Sequence, residues 1–116
     1  MDDDEEIIDW KSEALAVVND IKDHVSGIEL SNVLPSDETK IYLNVTTIEG
    51  EIFCIRLNSE GFLISGHGKD SRASEALENQ QIYETPYSLL SAISKKFTES
   101  FGNRLINELS KLENRQ

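Results

Sequence analysis

At 116 residues, 38% hydrophobic and 28% charged, the chain is sized for one domain with a real but modest core. A formal charge of −11, from 22 acidic against 11 basic residues, repels phosphate backbones and anionic lipid, which argues against nucleic-acid and membrane partners. No apolar run approaches the roughly 18 residues of a membrane span. The lone Cys54, with no signal peptide ahead of it, points to a reducing compartment: the cytoplasm, with the nucleus as a second location.

The chain opens on an acidic block, Asp2-Asp3-Asp4-Glu5-Glu6, so residues 1–8 read as a disordered, solubilising leader and 9–116 as one domain. Docking of this block to a basic partner is the alternative. Over 7–25 the apolar residues Ile7, Trp10, Ala14, Val17, Val18, Ile21 and Val25 recur at intervals of three and four, which predicts a helix with one buried face. Asp9 or Ser12 caps its start, and Gly27 stands where a left-handed C-terminal cap is wanted.

The period then changes to two. A short strand is expected over 28–34, before the turn Pro35-Ser36-Asp37. Ile41-Leu43-Val45 alternates with Tyr42-Asn44-Thr46, and after Glu49-Gly50, Phe53-Ile55-Leu57 alternates with Ile52-Cys54-Arg56. Asn58-Ser59-Glu60-Gly61 turns the chain into a fourth strand beginning Phe62-Leu63-Ile64. Turns this short join antiparallel neighbours, because parallel pairing needs long crossovers. The polar stretch 66–80 reads as a mobile loop with a helical turn near Glu75-Ala76-Leu77.

Thr85 caps a helix with Pro86 at its first position, and Ser94 marks a second cap. From there Phe97, Phe101, Leu105, Leu109 and Leu112 lie on one stripe, widened by Ile106. Gly102 weakens this last helix by about 1 kcal/mol relative to alanine. The expected fold is α+β: a two-layer sandwich in which the N-terminal and C-terminal helices cover an antiparallel four-stranded meander.

Catalytic chemistry finds little footing. His24 and His67 are the only histidines, and neither has a ligand-type neighbour at metal spacing, so no metal and no cofactor is expected. His24 reads as a solvated partner of Asp23 on the polar side of the first helix, and Cys54 as a buried, inert thiol. Gly66 is followed by His67 and Lys69 by Asp70, which rules out a Walker phosphate loop. A small enzyme using His67 and Asp70 in the 66–80 loop is the alternative from a different class.

Taken in order, Glu13-Ala14, Ala16-Val17-Val18-Asn19-Asp20, Tyr42-Leu43-Asn44-Val45, Cys54, Leu57 and Gly61 form a recognisable series. It continues through Tyr83, Glu84-Thr85, Tyr87-Ser88-Leu89-Leu90 and Phe101-Gly102-Asn103 to Leu105, Ile106, Leu109 and Leu112. In order and spacing the chain resembles the GSKIP family, the glycogen synthase kinase-3 interaction proteins. A related domain also occurs inside large clustered-mitochondria proteins.

The resemblance implies a non-catalytic adaptor that docks glycogen synthase kinase-3 through its C-terminal helix and restrains the kinase, with a helix similar to the kinase-binding helix of axin. By that likeness Phe101, Leu105, Ile106, Leu109 and Leu112 are the contact stripe, and Leu109 is the hot spot. For Phe97 and Phe101 the core competes with the partner. Where the family and axin carry Arg just before the key leucine this chain has Glu108, with Arg104 one turn earlier as the compensating cation. That reversal leaves open a clustered-mitochondria-type role without kinase binding. Vertebrate members also anchor the regulatory subunit of cAMP-dependent protein kinase on the first helix. Val18 matches that stripe but Lys22 interrupts it with a charge, so anchoring is expected to be weak or absent.

Overall fold

The computed structural model describes residues 8–100. The first helix, α1, spans Trp10–Ile21 and is capped by Asp9, whose carboxylate accepts hydrogen bonds from the backbone N–H groups of Lys11 and Ser12. It ends earlier than the apolar spacing predicts. Lys22–His24 tighten into a single 3-10 turn and Val25 is already extended. Gly27 is therefore not the helix cap: it opens the first strand, opposite Thr46.

Four strands follow: β1 (Gly27–Leu30), β2 (Lys40–Thr46), β3 (Ile52–Asn58) and β4 (Gly61–Gly66). All neighbours are antiparallel and the spatial order is β1-β2-β3-β4, the meander expected from the short turns. β1 is shorter than expected because Ser31 turns the chain away, its Oγ accepting from the N–H groups of Val33 and Leu34. A second helix, α2, spans Pro86–Ile93, with Pro86 in its first turn and the Thr85 hydroxyl accepting from Ser88 N.

Register aligns the apolar positions into rows on one face. Ile28, Val45 and Phe53 form one row; Leu30, Leu43, Ile55 and Ile64 a second; Ile41, Leu57 and Phe62 a third. Trp10, Ala14 and Ile21 of α1 and Leu89 and Leu90 of α2 close over this face, and Phe97 joins them at 1% exposure. The α+β class and the meander thus stand as expected from the pattern.

The opposite face departs from a simple two-layer picture. Tyr42, Asn44, Cys54, Leu63 and Ser65 lie there, all buried, beneath the 66–80 segment. That segment is tied down, not loose. Asp70 N donates to Asn44 Oδ1 (2.8 Å), and the Asp70 carboxylate accepts from Asn44 Nδ2 (2.8 Å) and Ser31 Oγ (2.6 Å). Ser74 N donates to Ser65 O, Gln80 Nε2 to Ser74 O, and successive turns from Arg72 to Leu77 occupy the place of the expected helical turn.

Gly66 lets the segment settle. A Cβ there would lie 2.1 Å from Ser71 Oγ and 2.7 Å from Ser71 O, so only a hydrogen fits. Gly61 does the same at the other end of β4. Its φ of +133° and the 2.4 Å from a built Cβ to Tyr83 O both require glycine, and the close approach allows Phe62 and Tyr83 to exchange two backbone hydrogen bonds.

Candidate partner-binding site

Between α2 and the chain's end, Ser94 is a one-residue break. Its backbone is extended (φ −137°, ψ 106°) and its N–H completes α2 by donating to Leu90 O. Residues 95–100 are again helical. Ser94 serves this second helix as its N-cap: its carbonyl accepts from Thr98 N, and its Oγ accepts from Phe97 N at 3.1 Å. The cap expected at Ser94 is therefore present.

The turn between β2 and β3 supplies the other half of the anchor. One carboxylate oxygen of Glu49 accepts from Ser94 Oγ and the other from Lys96 N, both at 2.8 Å. An anion at a helix N-terminus is electrostatically favoured, because the first N–H groups point at it unpaired. The Lys96 N–H bond is the main reason the Glu49 carboxyl is held down at about 2. Neither the turn sequence Glu49-Gly50 nor any local spacing signals this contact, which spans 45 residues.

Phe97 fixes the direction of the helix from below. Its ring is buried, with the His24 imidazole edge-on at 5.5 Å; the same imidazole meets Tyr87 at 6.4 Å. His24 is therefore not a solvated partner of Asp23. The 3-10 turn at the end of α1 swings it inward, where it packs α1 against the root of the last helix. Of the two residues for which core and partner compete, Phe97 belongs to the core.

The remaining contact residues expected from the resemblance, Phe101, Arg104, Leu105, Ile106, Leu109 and Leu112, lie outside the described residues, as do Gly102 and Glu108. On α1, Val18 is half-buried and packs against the core, while Lys22 is exposed just past the helix end.

Each residue of the enzymatic alternative has a hydrogen-bond or ring partner. Asp70 is tied to Ser31 and Asn44, and those two bonds keep its carboxyl below the usual carboxylate range. The His67 ring stacks edge-on against Phe53 at 5.2 Å. Cys54 is fully buried, and burial pushes its thiol up to about 11. No cluster of three or more His, Cys, Asp or Glu able to hold a metal occurs among the described residues. No helix among them is long and apolar enough to cross a membrane.

A family model for the GSKIP domain matches residues 10–112. A zebrafish (Danio rerio) protein named GSK3-beta interaction protein is 39% identical over 108 residues, covering 93% of this chain and 80% of that protein. The human (Homo sapiens) GSK3B-interacting protein is 34% identical over 105 residues, covering 90% and 74%. A fruit-fly (Drosophila melanogaster) GSKIP homolog is 29% identical over 90 residues, covering 78% and 76%.

Proposed function

The chain belongs to the GSKIP-domain family, and from that membership we propose that it is a non-catalytic adaptor that binds glycogen synthase kinase-3. The observation that carries this reading is the match across almost the whole chain to relatives named for that interaction. In the finer form of the proposal, the helix rooted at Ser94 lays Phe101, Leu105, Ile106, Leu109 and Leu112 into an apolar groove of the kinase. Occupying that groove restrains the kinase or scaffolds it for others. A root held by Glu49, Ser94 and Phe97 supports this, since a helix fixed at its start loses less freedom on docking. Burial of one leucine in such a groove contributes about 1.5–3 kcal/mol. Anchoring of the cAMP-dependent kinase regulatory subunit is not part of the proposal, because α1 stops at Ile21 and exposes the Lys22 charge.

Calorimetric titration of the chain into purified glycogen synthase kinase-3, with Leu109→Pro as control, tests the reading. Binding at micromolar or tighter affinity that the proline abolishes is the expected result. Absence of binding by the natural chain would transfer the role to a clustered-mitochondria-type pathway without the kinase, with Glu108 in place of Arg as the physical reason.

A further inference from the structure

Beneath the outer cover, two buried polar atoms have no hydrogen-bond partner among the described residues: the Tyr42 hydroxyl and the Arg56 Nε. They are not scattered. Tyr42 and Arg56 face each other across β2 and β3, so both side chains lie in one row of the outer face. Tyr42 is 1% exposed, which shuts its hydroxyl off from bulk water. A buried polar group left unpaired is costly, and nearly all such groups in folded chains find a partner. Two of them side by side point to a shared one.

Both atoms can donate. Burial first, and the Glu75 carboxylate second, push the Tyr42 hydroxyl up to about 12, so it keeps its proton. The arginine side chain has donors only, and no ion pair engages Arg56 among the described residues. The nearby acceptor is already committed. Glu75 Oε1 accepts from Nε and an Nη of Arg72 (3.1 and 3.0 Å), and its Oε2 accepts from Ser65 Oγ (3.1 Å). Glu75 thus balances Arg72, whose guanidinium lies 5.5 Å from the centre of the Tyr42 ring, and leaves the Arg56 charge over. This positive excess stands in a chain of net charge −11. A guanidinium with a hydroxyl donor beside it suits an oxyanion, which accepts several hydrogen bonds at once and supplies the missing charge.

We propose that Arg56 and Tyr42 form a receptor for a small oxyanion, a phosphate or carboxylate group, at the margin of the outer cover. Arg56 is half-buried, so the anion enters along its guanidinium and reaches the Tyr42 hydroxyl behind it. The turn from Arg72 to Glu75 gives way slightly, and repulsion from Glu75 keeps the binding weak. The site lies across the sheet from the helix root and is independent of the kinase reading.

The probes are inorganic phosphate and acetate, each titrated into the full chain at ionic strength held constant with sodium chloride. The Nε–Hε NMR resonance of Arg56 reads the site, and that of Arg72 serves as the internal reference. A saturable shift at Arg56, larger than at Arg72, is expected with at least one anion, and the tighter of the two names the group. Arg56→Gln, read at the Tyr42 amide, should weaken binding about tenfold or more. Tyr42→Phe should weaken it about fivefold, the net worth of one hydrogen bond. Without anion, Tyr42→Phe should be at least as stable as the natural chain in urea, because it removes an unpaired hydroxyl.

Three results would overturn the proposal. One is a shift at Arg56 that rises without saturating or that Arg72 shares equally, which would mean an adventitious ion only. Another is equal binding by Tyr42→Phe. The third is a loss of stability in anion-free Tyr42→Phe, which would mean that the hydroxyl already has its partner within the chain. If a variant fails to fold, the natural chain still decides the point: no saturable shift at Arg56 with either anion would overturn it.

Discussion

The two faces of the sheet are buried by different means. The inner face is covered by helices, and contact there is apolar: Trp10, Ala14, Ile21, Leu89, Leu90 and Phe97 against three aligned rows of strand residues. The outer face is covered by a polar segment, and contact there is mostly hydrogen-bonded: Asn44 to Asp70, Ser65 to Ser71 and Glu75, Ser74 to Ser65. Apolar burial is non-directional and roughly proportional to area, so the inner face tolerates small adjustments. Hydrogen bonds are directional and costly when half-made, so the outer face is held by a few atoms in fixed positions. Each face should therefore fail in its own way.

The largest effect is expected at the inner face. Phe97→Ala removes a ring buried to 1% exposure and should cost about 3–5 kcal/mol. Urea unfolding monitored by circular dichroism measures it. Because Phe97 also joins His24 to the root of the helix at 95–100, the proposed docking mode predicts that kinase affinity falls along with stability. A variant that loses stability but keeps full affinity would show that the helix docks without its root.

Next in size is the outer face. Gly66→Ala places a methyl group within 3 Å of Ser71 Cβ, Oγ and O, so the covering segment must lift. Overpacking of this kind costs about 1–3 kcal/mol. Cys54 gives a readout specific to this face, being fully buried in the native chain. Its rate of reaction with a thiol reagent should rise in Gly66→Ala and stay low in Phe97→Ala under conditions where both remain folded. Equal reactivity in the two variants would mean that the faces do not open separately.

The same contrast governs how far the sequence can be read. The places of the first helix and of the strands, the Asp9 cap and the Thr85-Pro86 start all report local or apolar contact, and each reappears in the fold, though α1 is shorter than its spacing and β2 and β3 are buried on both faces. The outer cover depends on pairs such as Asn44 and Asp70, 26 residues apart, and no period announces it. One signal is present. Ile41-Tyr42-Leu43, Phe53-Cys54-Ile55 and Phe62-Leu63-Ile64 are apolar at consecutive positions, as in strands buried on both faces. If they are taken as half-buried, the 66–80 segment has nothing to cover. The expectation for His24 fails for a related reason: helical spacing carries α1 past Ile21, whereas the 3-10 turn rotates the side chain inward. The Glu49 anchor is invisible in sequence because a turn glutamate resembles any other surface charge. The partner-binding stripe proposed for Phe101 to Leu112 rests on the family resemblance alone.

A smaller effect is expected from Ser65→Ala. The hydroxyl is fully buried, 2.9 Å from Ser71 O and 3.1 Å from a Glu75 carboxylate oxygen. Losing this connection should cost about 1 kcal/mol, the net contribution of an ordinary hydrogen bond. Cys54 reactivity should again rise, though less than in Gly66→Ala. If the reactivity is unchanged, backbone contacts alone hold the cover.

The smallest expected effect lies on the inner side, where one polar contact joins an otherwise apolar arrangement. Glu49 binds Ser94 Oγ and Lys96 N as a carboxylate, and its carboxyl is lowered from 4.5 to about 2. A lowered folded-state value stabilises the native chain above the unfolded value of 4.5, and this contribution is lost as pH falls toward 2. Glu49→Gln keeps an acceptor oxygen but carries no charge at any pH. The stability gap between the natural chain and Glu49→Gln should therefore be widest at neutral pH and shrink through that acid window. Urea midpoints measured across it test the point. A gap that stays constant would mean that Glu49 acts through hydrogen-bond geometry alone. A gap that closes would mean that its charge at the helix N-terminus helps hold the root from which residues 95–100 depart.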